Sequence, residues 1–285
     1  NNTAVGYQAA YSNTTGDRHV ALGYSALKDN TTGYRNNAIG YLALTTNTTG
    51  FQNNALGVNA LRYNTTGTNN VAIGHEAGLS NTTGAGNSAV GKTTLQSNTT
   101  GANNTAVGLQ ALNGNTTAAD NTAVGMNALV TNTTGASNTA VGRSALQEST
   151  TASNNTAVGY QSLLANTTGA QNTGIGMYAL ASNTTATDNF AGGYNSLGAN
   201  TTGTSNIGIG HRALQAITTA SNNTALGSQA GYSRTGSGNT CIGQYSGRDG
   251  TSGTDNTLIG RNAGYHITSG SNNTIIGTYD GNSGG

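Results

Sequence analysis

The sequence predicts an all-β protein, a parallel β-solenoid built from 17-residue coils. A glycine recurs with a 17-residue period from Gly6 to Gly277, and the single exception is a 16-residue step between Gly227 and Gly243. An aliphatic residue precedes this glycine in nearly every copy, and a leucine usually follows four residues later. A fixed period of this length is typical of a chain that stacks one short structural unit on the next.

The segment before each glycine is expected to be a strand. The residue just before the glycine is aliphatic in all copies except the one with Gly192, and the residue two places earlier is Thr, Val, Ile or Phe in most copies. Alternate strand residues share a face, so both columns are predicted to face the core. The small residue between them is expected to lie at an interface between chains, and the candidates are Ala4, Ala21, Ala38, Ala55 and Ala72.

The rest of each coil is predicted to hold a second core-facing segment and tight corners. The leucine column supplies that segment, and NTTG sequences such as Asn13 to Gly16 form one corner, where Asn and Gly tolerate a left-handed backbone. Asn also stands four residues before the glycine in every copy but that of His19, and stacked amides can hydrogen-bond up such a column. A helical alternative is disfavoured because the runs between glycines are short and rich in Thr and Asn.

Two regions are distinguished along the chain. Residues 1–227 are regular 17-residue coils, whereas in residues 228–285 the leucine column becomes glycine and the alanine column becomes Cys241, Leu258 and Ile275. Volume lost on one segment is regained on the other, so these variant coils are predicted to be a transition to another segment or a cap. With few large core residues per coil, several chains are expected to bury their surfaces together.

Composition excludes several classes of function. The net charge is +1 and the Lys and Arg residues form no run, which argues against nucleic acid and anionic membranes as partners, and no apolar stretch is long enough to insert into a membrane. The four histidines lie in distant coils, so no metal site or catalytic site is predicted within a chain, and neither an enzyme nor a cofactor is expected. Cys241 is interpreted as a small apolar residue.

Three polar or aromatic patterns each allow two interpretations. Tyr7, Tyr24 and Tyr41 follow successive glycines and form either a glycan-binding strip or a stack of rings that pack on each other. The Thr14 column and the Thr15 column of the NTT corners are either a rank that orders ice or simply corner residues. The NTT corners are also glycosylation acceptor sequences, although turn chemistry alone explains them.

The segment NTAVG with a small residue three places after its glycine, as at Gly125 and Ala128 or Gly142 and Ala145, resembles the head repeats of trimeric autotransporter adhesins. The NTTG-bearing copies are also similar to repeats of bacteriophage tail fibres. The resemblance implies a left-handed β-roll, a homotrimer, and a shaft or head of an adhesive fibre that is extracellular, on a cell surface or on a virion. Its partners would be other copies of the chain and a cell-surface glycan or host receptor. A self-assembling filament without a receptor is the alternative, and an ice-binding solenoid is a second one.

Overall fold

The computed structural model describes residues 1–281 and shows a parallel β-solenoid in that range. Each coil contributes one strand of three residues, successive coils follow a 17-residue period, and the described residues contain no helix. The predicted fold class is therefore confirmed. The chain divides into two compact units, Asn1–Arg143 (unit 1) and Ser144–Gly285 (unit 2).

Unit 1 contains nine strands, and strands that follow each other within the unit pair in parallel. Their bounds are β1 Thr3–Val5, β2 Val20–Leu22, β3 Asn37–Ile39, β4 Asn54–Leu56, β5 Val71–Ile73, β6 Ser88–Val90, β7 Thr105–Val107, β8 Thr122–Val124 and β9 Thr139–Val141. The register places equivalent residues side by side, as with Ala21 and Ala38.

The described part of unit 2 contains eight strands with the same parallel pairing. Their bounds are β10 Thr156–Val158, β11 Thr173–Ile175, β12 Phe190–Gly192, β13 Ile207–Ile209, β14 Thr224–Leu226, β15 Thr240–Ile242, β16 Thr257–Ile259 and β17 Thr274–Ile276. The short step does not interrupt the register, because Ala225 pairs with Cys241 and the pairing continues to Ile276.

The strands face the opposite way from the prediction. The central alanine of each strand is buried, as Ala106 shows at 0% exposure, whereas the flanking Thr105 and Val107 point outward and Val107 is 37% exposed. The reason is the narrowness of the coil. Gly78 occupies the position where most coils have leucine, and a methyl group there would lie only 3.9 Å from Cβ of Ala72. Opposite a leucine, only a small strand residue fits.

Two buried asparagine ladders hold successive coils together. In the predicted ladder, Asn104 donates from Nδ2 to Oδ1 of Asn87 at 3.1 Å, while its own Oδ1 accepts the backbone N–H of Asn121 at 3.0 Å. The corner asparagines form a second ladder, in which Asn81 Nδ2 donates to Asn64 Oδ1 at 2.8 Å. These bonds satisfy polar groups that would otherwise be costly to bury. The first ladder was predicted from the sequence. The corner asparagines were predicted only to form a tight corner, not a second ladder.

Left-handed backbone is found at other positions than those predicted. The leucine column adopts it, with φ of 51° at Leu112, and so does the residue two places after every period-setting glycine from Gly6 to Gly260, with φ of 59° at Gln110. The NTTG glycines are instead required by close approach, since a side chain on Gly33 would collide with the carbonyl oxygen of Gly50. The glycine that sets the period is required for both reasons. At Gly40, φ is 137°, and a side chain would also collide with the carbonyl oxygen of Gly57.

The variant coils exchange volume across the core as predicted. Cys241 and Leu258 are fully buried, and a methyl group on Gly264 would lie 2.8 Å from Leu258 Cδ2. The larger strand residue thus fills the space that leucine occupies in regular coils. The strand pairing is the same in both regions, and the interpretation of residues 228–285 as a transition or cap stays a prediction.

Candidate interaction surfaces

An aliphatic strip runs along the outward face of the strands in unit 1. It consists of the residue before each period-setting glycine: Val5, Leu22, Ile39, Leu56, Ile73, Val90, Val107, Val124 and Val141. Most of them are 36–56% exposed. The parallel column two residues earlier, from Thr3 to Thr139, also faces outward and contains no charged residue. At Val20, Ile39, Leu56 and Ile73, together with Asn37, the surface forms an open groove.

Unit 2 carries the equivalent aliphatic strip. It consists of Val158, Ile175, Ile209, Leu226, Ile242, Ile259 and Ile276. The one missing rung, Gly192, is covered by a neighbour, because a methyl group on Gly192 would lie 3.5 Å from the Phe190 ring. Phe190 is itself 38% exposed, so the apolar surface continues across this coil.

The alanine column is not available as an interface between chains. Ala21, Ala38 and Ala72 are 0% exposed and Ala55 is 2% exposed within the single chain, and only Ala4, in the first coil, is exposed. These residues face the leucine segment of their own chain. The constancy of the column was a correct sign of a close neighbour, but that neighbour is the same chain. In the strand segment, the aliphatic strip is exposed instead.

Tyr7, Tyr24 and Tyr41 form a stack on the surface of unit 1. Successive ring centroids are 5.3 Å apart, with interplanar angles of 20° and 18°, and the side chains are 64%, 46% and 51% exposed. Both faces of Tyr24 lie against another ring, so mainly the ring edges and hydroxyl groups are open to solvent. Since sugars pack on ring faces, this geometry favours the packing interpretation over the glycan strip.

The first of the two threonine columns in the corners, that of Thr14, has its hydroxyl groups engaged. Thr14 Oγ1 donates to the carbonyl oxygen of Thr31 at 2.8 Å, and Thr31 and Thr48 repeat the bond to the next coil. The Thr14 column therefore presents donors that are already bound to the protein, which weighs against an ice-ordering rank there.

The corner asparagines are buried and their amide groups are bonded. Asn30 is 0% exposed, and its Nδ2 donates to Asn13 Oδ1 at 2.8 Å and to the carbonyl oxygen of Gly33 at 3.1 Å. An N-linked glycan is attached through this nitrogen. The folded corner thus favours the turn interpretation of the NTT sequences.

Within residues 1–281, no group of three His, Cys, Asp or Glu side chains is placed to hold a metal ion. His19 is buried in the first asparagine ladder, whereas His75 and His266 lie on the surface. The described residues also contain no helix long and apolar enough to cross a membrane.

Fold and surface together define a repeat protein of the parallel β-solenoid class. No protein-family model matches the chain, and a search of curated proteins found no similar relative.

Proposed function

We propose that this chain is a structural segment, a shaft or head, of an adhesive fibre that is extracellular, on a cell surface or on a virion, and that copies of the chain assemble through the aliphatic strip. The observation that carries the proposal is the exposure of an uncharged aliphatic residue on nearly every coil of both units. Soluble monomers rarely expose contiguous apolar patches larger than a few hundred Å², and larger ones mark interaction sites.

The periodicity of the strip supports another copy of the chain as its partner. One aliphatic rung stands on each 17-residue coil, so only a partner with the same coil spacing buries every rung in the same way. A second copy meets this condition without any further requirement. The resemblance to trimeric fibre repeats sets the expected number of chains at three and the expected winding at left-handed.

The strip offers no charged group to a nucleic acid or an anionic membrane, and the net charge of +1 offers little elsewhere. Adhesion to a cell-surface glycan or host receptor is the expected purpose of the fibre. The alternative, a surface filament without a specific receptor, uses the same assembly.

Sedimentation equilibrium of the whole chain tests the assembly. The wild type is expected to sediment as a trimer, and the double variant Val107→Asp and Val124→Asp is expected to sediment as a monomer, because an interface would bury two charges in each chain. The matched control is Leu109→Asp, since Leu109 is 43% exposed but lies outside the strip. A folded monomeric wild type, or equal dissociation by the control, would refute the proposal.

An ice-binding role is the second alternative for the same outward face, since Thr105, Thr122 and Thr139 stand in register beside the strip valines. If copies bury this face, no ice surface remains, and the purified protein is expected to show no thermal hysteresis. Measurable hysteresis that the Val107→Asp and Val124→Asp substitutions abolish would favour ice binding instead.

A further inference from the structure

A single arginine in the variant coils is surrounded by aromatic rings. Arg248 stands five residues after its glycine, and Tyr232 and Tyr265 hold the same position in the coils before and after. The Arg248 Cζ atom lies 5.6 Å from the ring centroid of Tyr232, 5.8 Å from that of Tyr245 and 5.4 Å from that of Tyr265. These distances are within the range of cation–π contacts.

The guanidinium of Arg248 is held in place but not fully used. Its Nε donates to Gln229 Oε1 at 2.9 Å, and its Nη1 donates to Asp249 Oδ1 at 3.0 Å and to the Tyr265 hydroxyl oxygen. Five N–H groups are available on a guanidinium, so the two on Nη2 remain. The side chain is 31% exposed, so part of it is in contact with solvent. The Arg248 cluster is the group formed by Arg248, Gln229, Tyr232, Tyr245, Asp249, Tyr265 and His266.

The charge of the Arg248 cluster limits what it can bind. Asp249 pairs with Arg248 on one side, and its other carboxylate oxygen lies 3.5 Å from His266 Nδ1. The positive charge is thus largely balanced, which disfavours phosphates and polyanions that need several cations. A ligand with one carboxylate can accept a hydrogen bond from Nη2 of Arg248, and a bond between charged partners is stronger than one between neutral groups.

The surroundings of the Arg248 guanidinium are suited to a sugar. Tyr245 and Tyr265 lie at 70° to each other with centroids 6.2 Å apart, so only one of the two rings has a face against the other, unlike the stacked tyrosines of unit 1. Aromatic surface beside hydroxyl, amide and imidazole groups can contact a pyranose ring and bond its hydroxyl groups. Elsewhere, Arg62 holds the same position in its coil and lies 5.1 Å from the Tyr63 ring, but no carboxylate positions it.

We propose that the Arg248 cluster binds a saccharide that carries one carboxylate group, of the uronic acid type. Nη2 of Arg248 donates to the carboxylate, and the tyrosines contact the sugar ring. The adhesive purpose of this binding rests on the proposed function. The binding itself does not depend on assembly, since the cluster lies within one chain.

Isothermal titration of the whole chain with methyl glucuronide, methyl glucoside and acetate tests the site. Methyl glucuronide is expected to bind, and each of the other two compounds is expected to bind at least about tenfold more weakly, because each lacks one half of the contacts. Arg248→Gln is expected to weaken glucuronide binding by about tenfold or more, as the loss of a charged hydrogen bond does. Arg62→Gln, the matched control, is expected to leave it unchanged.

The proposal is overturned if glucuronide does not bind, if glucoside or acetate binds as tightly, or if Arg248→Gln has no effect. Should Arg248→Gln fail to fold, Arg248→Lys decides: it keeps the charge but lacks the Nη2 donor, and unchanged affinity would again overturn the site. Sedimentation of the same samples keeps the two proposals separate, because the loss of saccharide binding leaves the trimer intact, and a monomer that still binds glucuronide contradicts only the assembly.

Discussion

Within unit 2, the coils before residue 228 and the coils after it fill the same core in opposite ways. The earlier coils place Leu197 or Leu214 four residues after the glycine, opposite a small strand residue. The later coils place Gly264 there, opposite Leu258 in the strand. Strand register and the first asparagine ladder continue unchanged through both regions. The hydrogen-bonded ladders therefore determine the path of the backbone, while the apolar side chains of the core can be exchanged if their volume is conserved.

Reversing the exchange of volume between strand and leucine position in one variant coil is expected to have the largest effect on stability. Leu258→Ala removes a fully buried side chain and should cost about 3 kcal/mol of the free energy of unfolding, and Gly264→Leu should cost about 2 kcal/mol by overpacking against Leu258. The double variant Leu258→Ala and Gly264→Leu restores the pattern of the regular coils. Its loss of unfolding free energy should be clearly smaller than the sum of the losses of the two single variants. Urea unfolding of all four proteins measures this coupling, and strictly additive losses would contradict the exchange.

Removing one asparagine of the first ladder should lower the free energy of unfolding by a similar amount in the coils before and after residue 228. Asn206→Ala and Asn256→Ala each delete a bond to a glycine or alanine carbonyl and leave the backbone N–H of the next rung without its acceptor. Each substitution is expected to lower the free energy of unfolding by about 2 kcal/mol, because a donor that is buried at Asn223 and partly buried at Asn273 loses its partner. Urea unfolding midpoints that drop for only one of the two would show that the ladder does not support both regions alike.

The short step between the regions contains a buried arginine. Arg234 occupies the position of a corner asparagine and is 0% exposed; its Nη1 donates to Asn239 Oδ1 at 3.1 Å, but its Nε and Nη2 have no nitrogen or oxygen partner. Arg234→Met keeps most of the volume without the charge and should leave stability within about 1 kcal/mol or raise it. Thermal unfolding checks this, with Arg234→Ala as the cavity control; a large loss for Met would mean that the charge itself is required.

His19 is the rung where the ladder of unit 1 departs from asparagine, and its effect depends on pH. Its Nδ1 accepts the backbone N–H of Asn36 at 3.2 Å, as Asn36 Oδ1 accepts that of Asn53, and burial lowers the pKa of the imidazole below 6.5. The unfolded chain therefore binds this proton first, so stability is full above pH 6.5 and declines as the pH falls below it.

The variant His19→Asn isolates this rung. It is expected to remove the part of the acid destabilisation that His19 causes, because an amide does not titrate in this range and can make the same bond. Thermal unfolding of both proteins between pH 7.5 and pH 5, as a span around the ordinary histidine pKa, measures the difference. Identical pH profiles would contradict the assignment.

The sequence predicted the coil but not the direction of its side chains. The glycine period determined the strand positions, and the constant Asn column indicated the ladder that the structure confirms. The rule that aliphatic residues face inward was wrong for Val107 and its equivalents, because a coil with Leu112 inside has room only for alanine opposite. Because a column that stays small reflects a close neighbour, the alanine or glycine column of the regular coils was a better sign of the core than the column of Val, Leu and Ile.

The Arg248 cluster could not be found from the sequence in the same way. Tyr232, Arg248 and Tyr265 become neighbours only when the 16-residue step is counted into the stacking, and Tyr245 joins them from a different column. The contacts of the guanidinium depend on rotamers, which a repeat alignment does not specify.

Cysteine cross-linking tests most directly the central claim that copies of the chain meet at the aliphatic strip. In a Cys241→Ala background, Val124→Cys is expected to give disulfide-linked chains on mild oxidation, because equivalent strip residues of neighbouring copies lie close together. Leu109→Cys, equally exposed on another column, is expected to remain unlinked. Linkage through position 109 but not through position 124, or at neither, would contradict the claim.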